Sequence, residues 1–173
     1  MIEQYQDVIN EYGIYEPTIK YAVGVLTGHI IAGEKIKLAC ERHLSDLQRI
    51  KSDPEFHYAY DAERTDKIIK FSTLLVDLET HEPFKISPYE AFIVGLLEGW
   101  KEPETGGKRF DRAIISMARA NGKTAVMALI SLFNFLFGQP KTNRQLAVAS
   151  ADTAHADALF KYMSSQWANL ASG

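Results

Sequence analysis

The chain has 173 residues, of which 46% are hydrophobic and 24% are charged, an average globular composition with enough length for one sizeable core. Its formal net charge of −3 provides no overall positive field, so we expect any nucleic-acid contact to come from local patches. The single cysteine, Cys40, excludes an internal disulfide framework and, with a start that lacks a signal-peptide pattern, favours a reducing compartment. The most apolar run, Ala125 to Phe137, is too short to span a bilayer, so we expect no membrane segment.

Helical patterns dominate the first part of the chain. The segment Tyr15-Glu16-Pro17-Thr18 predicts a helix that continues to about Thr27, and apolar residues on one stripe predict a second helix from about Glu34 to Lys51. A third helix is predicted from about Ala62 to Glu79. We therefore expect a helical N-terminal region over residues 1–85.

Strands and helices are predicted to alternate over residues 86–173. Ser87-Pro88 starts a short helix that ends at Gly99-Trp100. The elements predicted after it are a strand at Ala113 to Met117, a helix to about Phe137, a strand at Gln145 to Ser150 and a last helix capped by Asp152 or Thr153. This order favours parallel pairing in an α/β layer, with ligands bound at the carboxyl end of the first strand.

The segment Arg119-Ala120-Asn121-Gly122-Lys123-Thr124 lies where the first predicted strand gives way to an apolar helix. Such a turn exposes the backbone N–H groups of Asn121, Gly122 and Lys123 at a helix start, where the orphan donors and the positive dipole end attract an anion. Lys123 supplies a mobile charge for the β- and γ-phosphates, and the Thr124 hydroxyl is a ligand for Mg²⁺. The sequence therefore predicts a nucleotide phosphate site.

One position departs from the P-loop pattern, because Met117 stands six residues before the lysine, where that pattern has glycine. A Gly-Lys-Thr tripeptide also occurs by chance, as an ordinary strand-to-helix turn with a solvated lysine. The strand pattern before it and the helix pattern after it favour phosphate binding.

Several segments in order resemble the large terminase subunit of tailed bacteriophages, the motor that packs DNA into an empty procapsid. The Arg119 to Thr124 segment is similar to the deviant Walker A of that family, in which an arginine lies four residues before the lysine. The other similar segments are Arg109 to Ile114, Ala149 to Ala156, Tyr21 to Val25 and Ala39 to Leu44. The resemblance covers nearly the whole chain.

The resemblance implies an ASCE-type P-loop ATPase domain with a parallel sheet, which takes ATP and Mg²⁺. Lys123 would then bind the β- and γ-phosphates, Thr124 the metal, and the backbone of Ala120 to Gly122 the phosphate oxygens. Arg119 would sense the γ-phosphate or stabilise charge during transfer; the alternative is that it pairs with a nearby acid to hold the loop.

The base-recognition element expected before the Walker A strand is altered in this chain. The family usually has a Pro-aromatic-Gln element that reads adenine, whereas this chain has Pro88-Tyr89-Glu90. A carboxylate accepts from the adenine amino group but cannot also donate to a ring nitrogen, which puts adenine selectivity in question. The alternative is that Glu90 is a solvated residue in the first turn of a helix.

The implied function is that of an ATPase that packages viral DNA. Because no acidic residue follows a hydrophobic strand after residue 124, we expect the chain to stop inside its ATPase domain and to hydrolyse little ATP alone. The resemblance further implies a nuclease domain with endonuclease activity, which we expect to be missing from this chain. The partners implied are double-stranded phage DNA, the small terminase subunit, the portal protein and further copies of the chain, in the cytoplasm of a bacterial host. The alternatives are another P-loop NTPase, such as a helicase-like ATPase or a kinase, and a non-catalytic docking module.

Two other groups of residues suggest weaker hypotheses. Cys40 and His43 lie three residues apart on one predicted helix, a spacing that suits a metal but is more typical of a packed core pair. The basic residues Lys101, Lys108, Arg109 and Arg112 precede the phosphate segment and suit phosphates or DNA, although a solvated charge run is the commoner case.

Overall fold

A computed structural model of the chain describes residues 2–77, 80–118, 121–139, 141–149 and 153–172. After a 3₁₀ turn at Glu3–Tyr5, the helices in chain order are α1 (Gln6–Tyr12), α2 (Pro17–Leu26), α3 (Glu34–Ser52), α4 (Ala62–Ser72), α5 (Pro88–Gly99), α6 (Lys123–Phe137) and α7 (Thr153–Ser172). The strands of the described residues are β1 (Ala59–Tyr60) and β2 (Trp100–Lys101), which pair antiparallel. Within these residues, no helix is long and apolar enough to cross a membrane.

The chain forms two compact units, each built from two separate stretches. The first unit comprises Met1–Lys67 and Ser87–Ala113, and the second comprises Ile68–Ile86 and Ile114–Gly173. These units differ from the two domains predicted from the sequence, 1–85 and 86–173, which stay a prediction. Because α5 belongs to the first unit, a fragment that ended at residue 85 would lack part of that unit's core.

The first unit is a helical layer whose core lies between α2, α3 and α5. Helix α2 starts where predicted because Pro17 fits its first turn and the Glu16 carboxylate accepts from the N–H groups of Thr18 and Ile19, each at 2.9 Å. The α-helical spacing of its apolar residues then buries one face. The buried core residues of this unit include Ile19, Ala22, Val25, Cys40, Leu44, Leu47, Phe92 and Trp100.

The second unit contains α6, α7 and the hairpin that follows α4. Phe71, Phe133 and Phe137 form a ring cluster with centroids 5.2 to 5.8 Å apart. The hairpin is held by the N–H of Phe84, which donates to the carbonyl of Leu75 at 2.8 Å, and by the buried Gln166 of α7, whose amide oxygen accepts from the N–H of Val76 at 2.8 Å.

Helix α4 ends earlier than predicted, at Ser72 and not at about Glu79. The hydroxyl of Ser72 donates to the carbonyl of Ile69 at 2.6 Å, and that of Thr73 donates to the carbonyl of Lys70 at 2.8 Å. Side-chain hydroxyls that donate to the carbonyls of the preceding turn compete with the backbone hydrogen bonds of the helix. After Ser72 the backbone N–H groups of Thr73 and Leu74 accordingly form the tighter bonds to residues three positions earlier. Glu79 itself lies outside the described residues.

The prediction of strands at Ala113–Met117 and Gln145–Ser150 is wrong for those of their residues that the structure describes. Residues 112–118 and 144–149 form no strand, and Ser150 lies outside the described residues. A strand exists only by pairing with another, and Ile114 is 99% exposed, with no layer packed over it. The described residues are therefore helical with one small antiparallel sheet, which is consistent with an α/β class, while the parallel sheet stays a prediction.

Gly95 of α5 marks the closest helix packing in the first unit. A Cβ atom at this position would lie 2.3 Å from Cγ2 of Thr18 and 3.0 Å from Cγ2 of Thr65. Both threonines are fully buried, so neither side chain has space to turn away. Helices α2, α4 and α5 therefore approach one another only because residue 95 has no side chain.

We predict that Gly95→Ala destabilises the protein by about 1–3 kcal/mol, the usual cost of overpacking, in urea unfolding followed by circular dichroism. The matched control is Gly107→Ala, whose Cβ would meet only the hydroxyl of the exposed Thr105, at 3.1 Å. Its expected cost is below about 0.5 kcal/mol, as for other surface positions. Equal stability of the two variants would contradict the tight packing of α5.

Candidate phosphate-binding site

The turn into α6 carries the described part of the predicted phosphate segment, Asn121 to Thr124. Gly122 caps the helix in a left-handed conformation, with φ 70° and ψ 5°, which glycine adopts without the strain that a side chain would add. Its carbonyl accepts the first helical bond, from the N–H of Val126 at 2.9 Å. The chain therefore enters α6 by one sharp turn at Gly122.

The turn brings Asn121, Gly122, Lys123 and Thr124 together at the helix start. The side chains of Lys123 and Thr124 are exposed, and they occupy the first two positions of α6. An α-helix leaves its first N–H groups without intrahelical partners and carries a partial positive charge at this end. An anion bound here would find backbone N–H donors, an ammonium group and a hydroxyl. Arg119 and Ala120, also predicted to belong to the site, lie outside the described residues.

The apolar face of α6 fixes this helix start within the second unit. The buried residues of the helix are Val126, Ala128, Leu129, Leu132 and Phe133. Burial of each Val, Leu or Phe side chain stabilises the fold by about 1.5–3 kcal/mol. The start of α6 therefore belongs to a packed helix, which favours backbone donors that are in place before an anion binds.

Tyr89 and Glu90 lie in the first turn of α5, in the first unit. Tyr89 is half-buried and packs against the core of that unit. Glu90 is only 5% exposed, and its Oε2 accepts hydrogen bonds from the Ser87 N–H at 2.8 Å and from the Ser87 hydroxyl at 2.6 Å. Glu90 is in a helix first turn, as the alternative interpretation has it, but it is buried in a capping box and not solvated. Contact of either residue with adenine stays a prediction.

The sequence pattern identified Ser87 as the cap of α5, as the structure has it, but the reciprocal role of Glu90 was missed although a signal for it was present. Serine followed three residues later by glutamate, before an apolar run, is the pattern of a capping box. In such a box the two residues satisfy helix-terminal donors reciprocally. The pattern accounts for Glu90 without a ligand.

Three of the four basic residues ahead of the phosphate segment form ion pairs inside the first unit. Lys101 pairs with Asp61 at 2.8 Å, and Lys108 pairs with the buried Glu98. These cations are compensated by acids of their own unit, so they provide no uncompensated patch for DNA. Arg112, the fourth, is exposed.

Arg109 is the most deeply placed of these cations. Its Nη2 lies 2.7 Å from Oδ2 of Asp46, which is 4% exposed. Its guanidinium lies 4.8 to 5.1 Å from the ring centroids of Phe56, Tyr58, Trp100 and Phe110. Ring faces attract a cation, and a buried aspartate needs one, so Arg109 ties the segment after β2 to α3.

Cys40 and His43 are buried core residues of α3, which agrees with the interpretation of their spacing as a packed core pair. Burial raises the pKa of Cys40 to about 12, with a further contribution from Glu41, so the thiol stays protonated. Among the described residues, no group of three or more His, Cys, Asp or Glu side chains could hold a metal ion.

His43 is the centre of a buried hydrogen-bond chain. Its Nδ1 accepts from the indole N–H of Trp100 at 3.1 Å, so Nε2 carries the proton and donates to the Thr18 hydroxyl at 2.8 Å. Thr18 in turn donates to Oε2 of Glu16 at 2.5 Å. Burial, and then the positive charges of Arg109 and Arg42, lower the pKa of His43 to about 3.

Comparison with known proteins gives one family. Residues 88–172 match the model of the terminase large subunit ATPase domain. No curated protein and no solved structure matches the chain. The family match confirms the resemblance that the sequence segments indicated, over the region that contains α5, the phosphate segment, α6 and α7.

We predict that stability falls as the pH falls below the ordinary His pKa, because unfolded His43 takes up a proton that the folded protein excludes down to about pH 3. Between pH 7 and pH 5 this group alone removes about 2 kcal/mol of stability. Urea unfolding of the parent and of His43→Gln, at both pH values, measures the difference. If both proteins lose the same stability over this range, His43 is not held neutral by burial.

Proposed function

Because residues 88–172 match the model of the terminase large subunit ATPase domain, we propose that this chain is the nucleotide-binding part of a viral DNA-packaging motor. In this role the chain binds ATP with Mg²⁺, and the hydrolysis of ATP by the whole motor drives DNA into a procapsid. The observation that carries the proposal is the left-handed Gly122 joined to Lys123 and Thr124 at the start of a rigid apolar helix.

Lys123 and the backbone around it are the proposed phosphate ligands. The exposed ammonium group is mobile enough to follow the β- and γ-phosphates, and the N–H groups at the start of α6 supply fixed donors. Ala120, Asn121 and Gly122 contribute through their backbone. Arg119, four residues before Lys123, has the fork geometry that suits γ-phosphate oxygens and is the proposed sensor of that group.

Thr124 is the proposed protein ligand for Mg²⁺. Mg²⁺ prefers oxygen ligands and keeps several waters, so one hydroxyl beside two phosphates is a suitable donor set. The exposed Thr124 side chain, next in sequence to Lys123, fits this requirement. The metal would neutralise phosphate charge, while the residues of the chain bind and orient the triphosphate.

The proposal includes the partners that a packaging motor needs. These are double-stranded phage DNA, the small terminase subunit, the portal protein and further copies of the chain, in the cytoplasm of the host. Because Lys101, Lys108 and Arg109 are paired with acids inside the first unit, we do not assign the DNA contact to them.

We predict that Lys123→Ala weakens binding of Mg–ATP by about 10- to 100-fold, the effect of losing a hydrogen bond to a charged group. Isothermal titration calorimetry of the 173-residue chain measures the affinity. Lys141→Ala, which removes another exposed lysine of the second unit, is the matched control and should bind as the parent does. Unchanged affinity in Lys123→Ala would remove the phosphate site.

Thr124→Val tests the metal ligand separately. This substitution keeps the shape of the side chain and removes the hydroxyl, so we predict that Mg²⁺ no longer improves ATP binding, while binding in the presence of a chelator is unchanged. The control is Thr142→Val, at an exposed position of the same unit. An equal magnesium effect in both variants would show that Thr124 is not a ligand.

A further inference from the structure

The connection between α2 and α3, residues 27–33, holds one apolar side chain fully in solvent. Ile31 is 99% exposed, whereas its neighbours Ile30 and Ala32 are partly buried and pack against the core of the first unit. Because the residues on both sides face the core, Ile31 faces the solvent as a consequence of how the connection packs. An aliphatic side chain held in this way is stabilised only when another surface covers it.

The backbone of this connection is fixed by local contacts. The N–H of Ile30 donates to the carbonyl of Gly24 at 2.8 Å, and the Ile30 side chain lies over Gly24, where a Cβ atom would be 2.8 Å from Cδ1 of Ile30. Gly28 turns the chain after α2 with φ 80°, a conformation that suits glycine. Because the connection is already ordered, a ligand that covers Ile31 loses little affinity to ordering of the protein.

The first residues of α3 continue this exposed surface. Residues 34–38 are all exposed, and the buried residues of the helix begin at Cys40. Ile36, one helical turn before Cys40, is 42% exposed, and Leu38 is 56% exposed. A short connection makes packed helices antiparallel, so the end of α2, the connection and the start of α3 lie at one end of this helix pair. We call residues 27–38 the α2–α3 tip.

Two exposed lysines give the α2–α3 tip a positive charge next to its apolar side chains. Lys35 and Lys37 flank Ile36 in the sequence, and Glu34 is the one acid of residues 27–38. No ion pair among the described residues includes either lysine, whereas other cations of the first unit pair with acids. Because the whole chain has a net charge of −3, the tip is a locally basic and apolar surface on an acidic protein.

We propose that the α2–α3 tip is a docking site for an acidic segment of a partner protein. Carboxylates of that segment pair with Lys35 and Lys37, and its apolar side chains cover Ile31 and Ile36. Opposite charges guide the encounter, and the apolar contacts hold the complex together. The docking site uses residues of the first unit alone and does not depend on the proposed nucleotide site.

The chemistry of the α2–α3 tip suits a protein better than a nucleic acid or a membrane. A phosphate backbone offers no apolar surface to Ile31 and is repelled by Glu34. Helices that lie on membrane surfaces keep their cations on one face and their apolar residues on the other. The order Lys35-Ile36-Lys37-Leu38 instead distributes both kinds of side chain around the start of α3.

Fluorescence anisotropy with labelled synthetic peptides tests the docking site on the 173-residue chain. The probes are two peptides of leucine and glutamate, one with helical and one with alternating spacing. The comparison peptides replace every glutamate by lysine or every leucine by serine. We expect at least one probe to bind about tenfold more tightly than its comparison peptides. Absence of binding by both probes, or equal binding of a probe and either of its comparison peptides, would overturn the proposal.

Ile31→Ser tests the apolar contact without loss of packing, because this side chain already lies in solvent. We expect it to weaken binding of the probe by about tenfold, whereas the control Tyr15→Ser, at a side chain 84% exposed outside the tip, should bind as the parent does. Lys35→Glu should weaken binding by a similar factor. Its control is Lys20→Glu, which makes the same change in charge at an exposed position of α2. Equal effects in a variant and its control would contradict the docking site.

Three other ligands complete the test. These are duplex DNA, vesicles of phosphatidylcholine and phosphatidylserine, and the chain itself in sedimentation equilibrium. We expect Ile31→Ser to leave the binding of each of them unchanged. If Ile31→Ser abolished the binding of any one, the α2–α3 tip would serve that ligand in place of an acidic partner segment, and the proposal would be wrong.

Discussion

The left-handed backbone of Gly122 is the constraint on which the candidate site depends. For a residue with a Cβ atom, this conformation costs about 1–2 kcal/mol, but for glycine it is readily accessible. At φ 70° the chain turns into α6 in one step, so that Lys123 and Thr124 occupy the first two helical positions. The backbone donors, the helix dipole and both side chains then share one end of one helix, which is buried along its apolar face.

The first unit illustrates how polar side chains can serve the core alone. His43, Thr18 and Glu16 form a hydrogen-bond chain that satisfies groups buried between the helices. The same holds for Glu98, which pairs with Arg64 at 2.9 Å, and for Asp46 with Arg109. Removing one partner of such a pair leaves a buried charge uncompensated, so these residues are constrained by folding without any need for a ligand.

Sequence patterns predicted the starts of the helices after α1 because helix-start signals are local. Pro17 and Pro88 mark the first positions of α2 and α5, and Gly122 marks the start of α6, all within a few residues of the predicted bounds. The strands were not predictable in this way, since a strand needs a partner that sequence alone does not identify. The short β1 and β2, some 40 residues apart, went unpredicted for that reason.

In the candidate site, too, local features could be predicted from the sequence and long-range contacts could not. The position of Lys123 and Thr124 at a helix start could be predicted from adjacent residues, and their role as ligands stays a proposal. The pairing of Arg109 with Asp46 joins distant parts of the chain, so the basic run gave no sign that its charges are compensated. Glu90 is a different case, because its capping partner Ser87 is only three residues away and the capping-box pattern is visible in the sequence.

The most direct measurement of the central claim is a backbone amide spectrum of the ¹⁵N-labelled chain, recorded as Mg²⁺ tripolyphosphate is added. We predict that the largest shifts occur at the amides of Gly122, Lys123 and Thr124, because these groups are the proposed donors to the anion. If these amides stayed unchanged while the ligand bound, or shifted no more than those of α7, the start of α6 would not be the phosphate site.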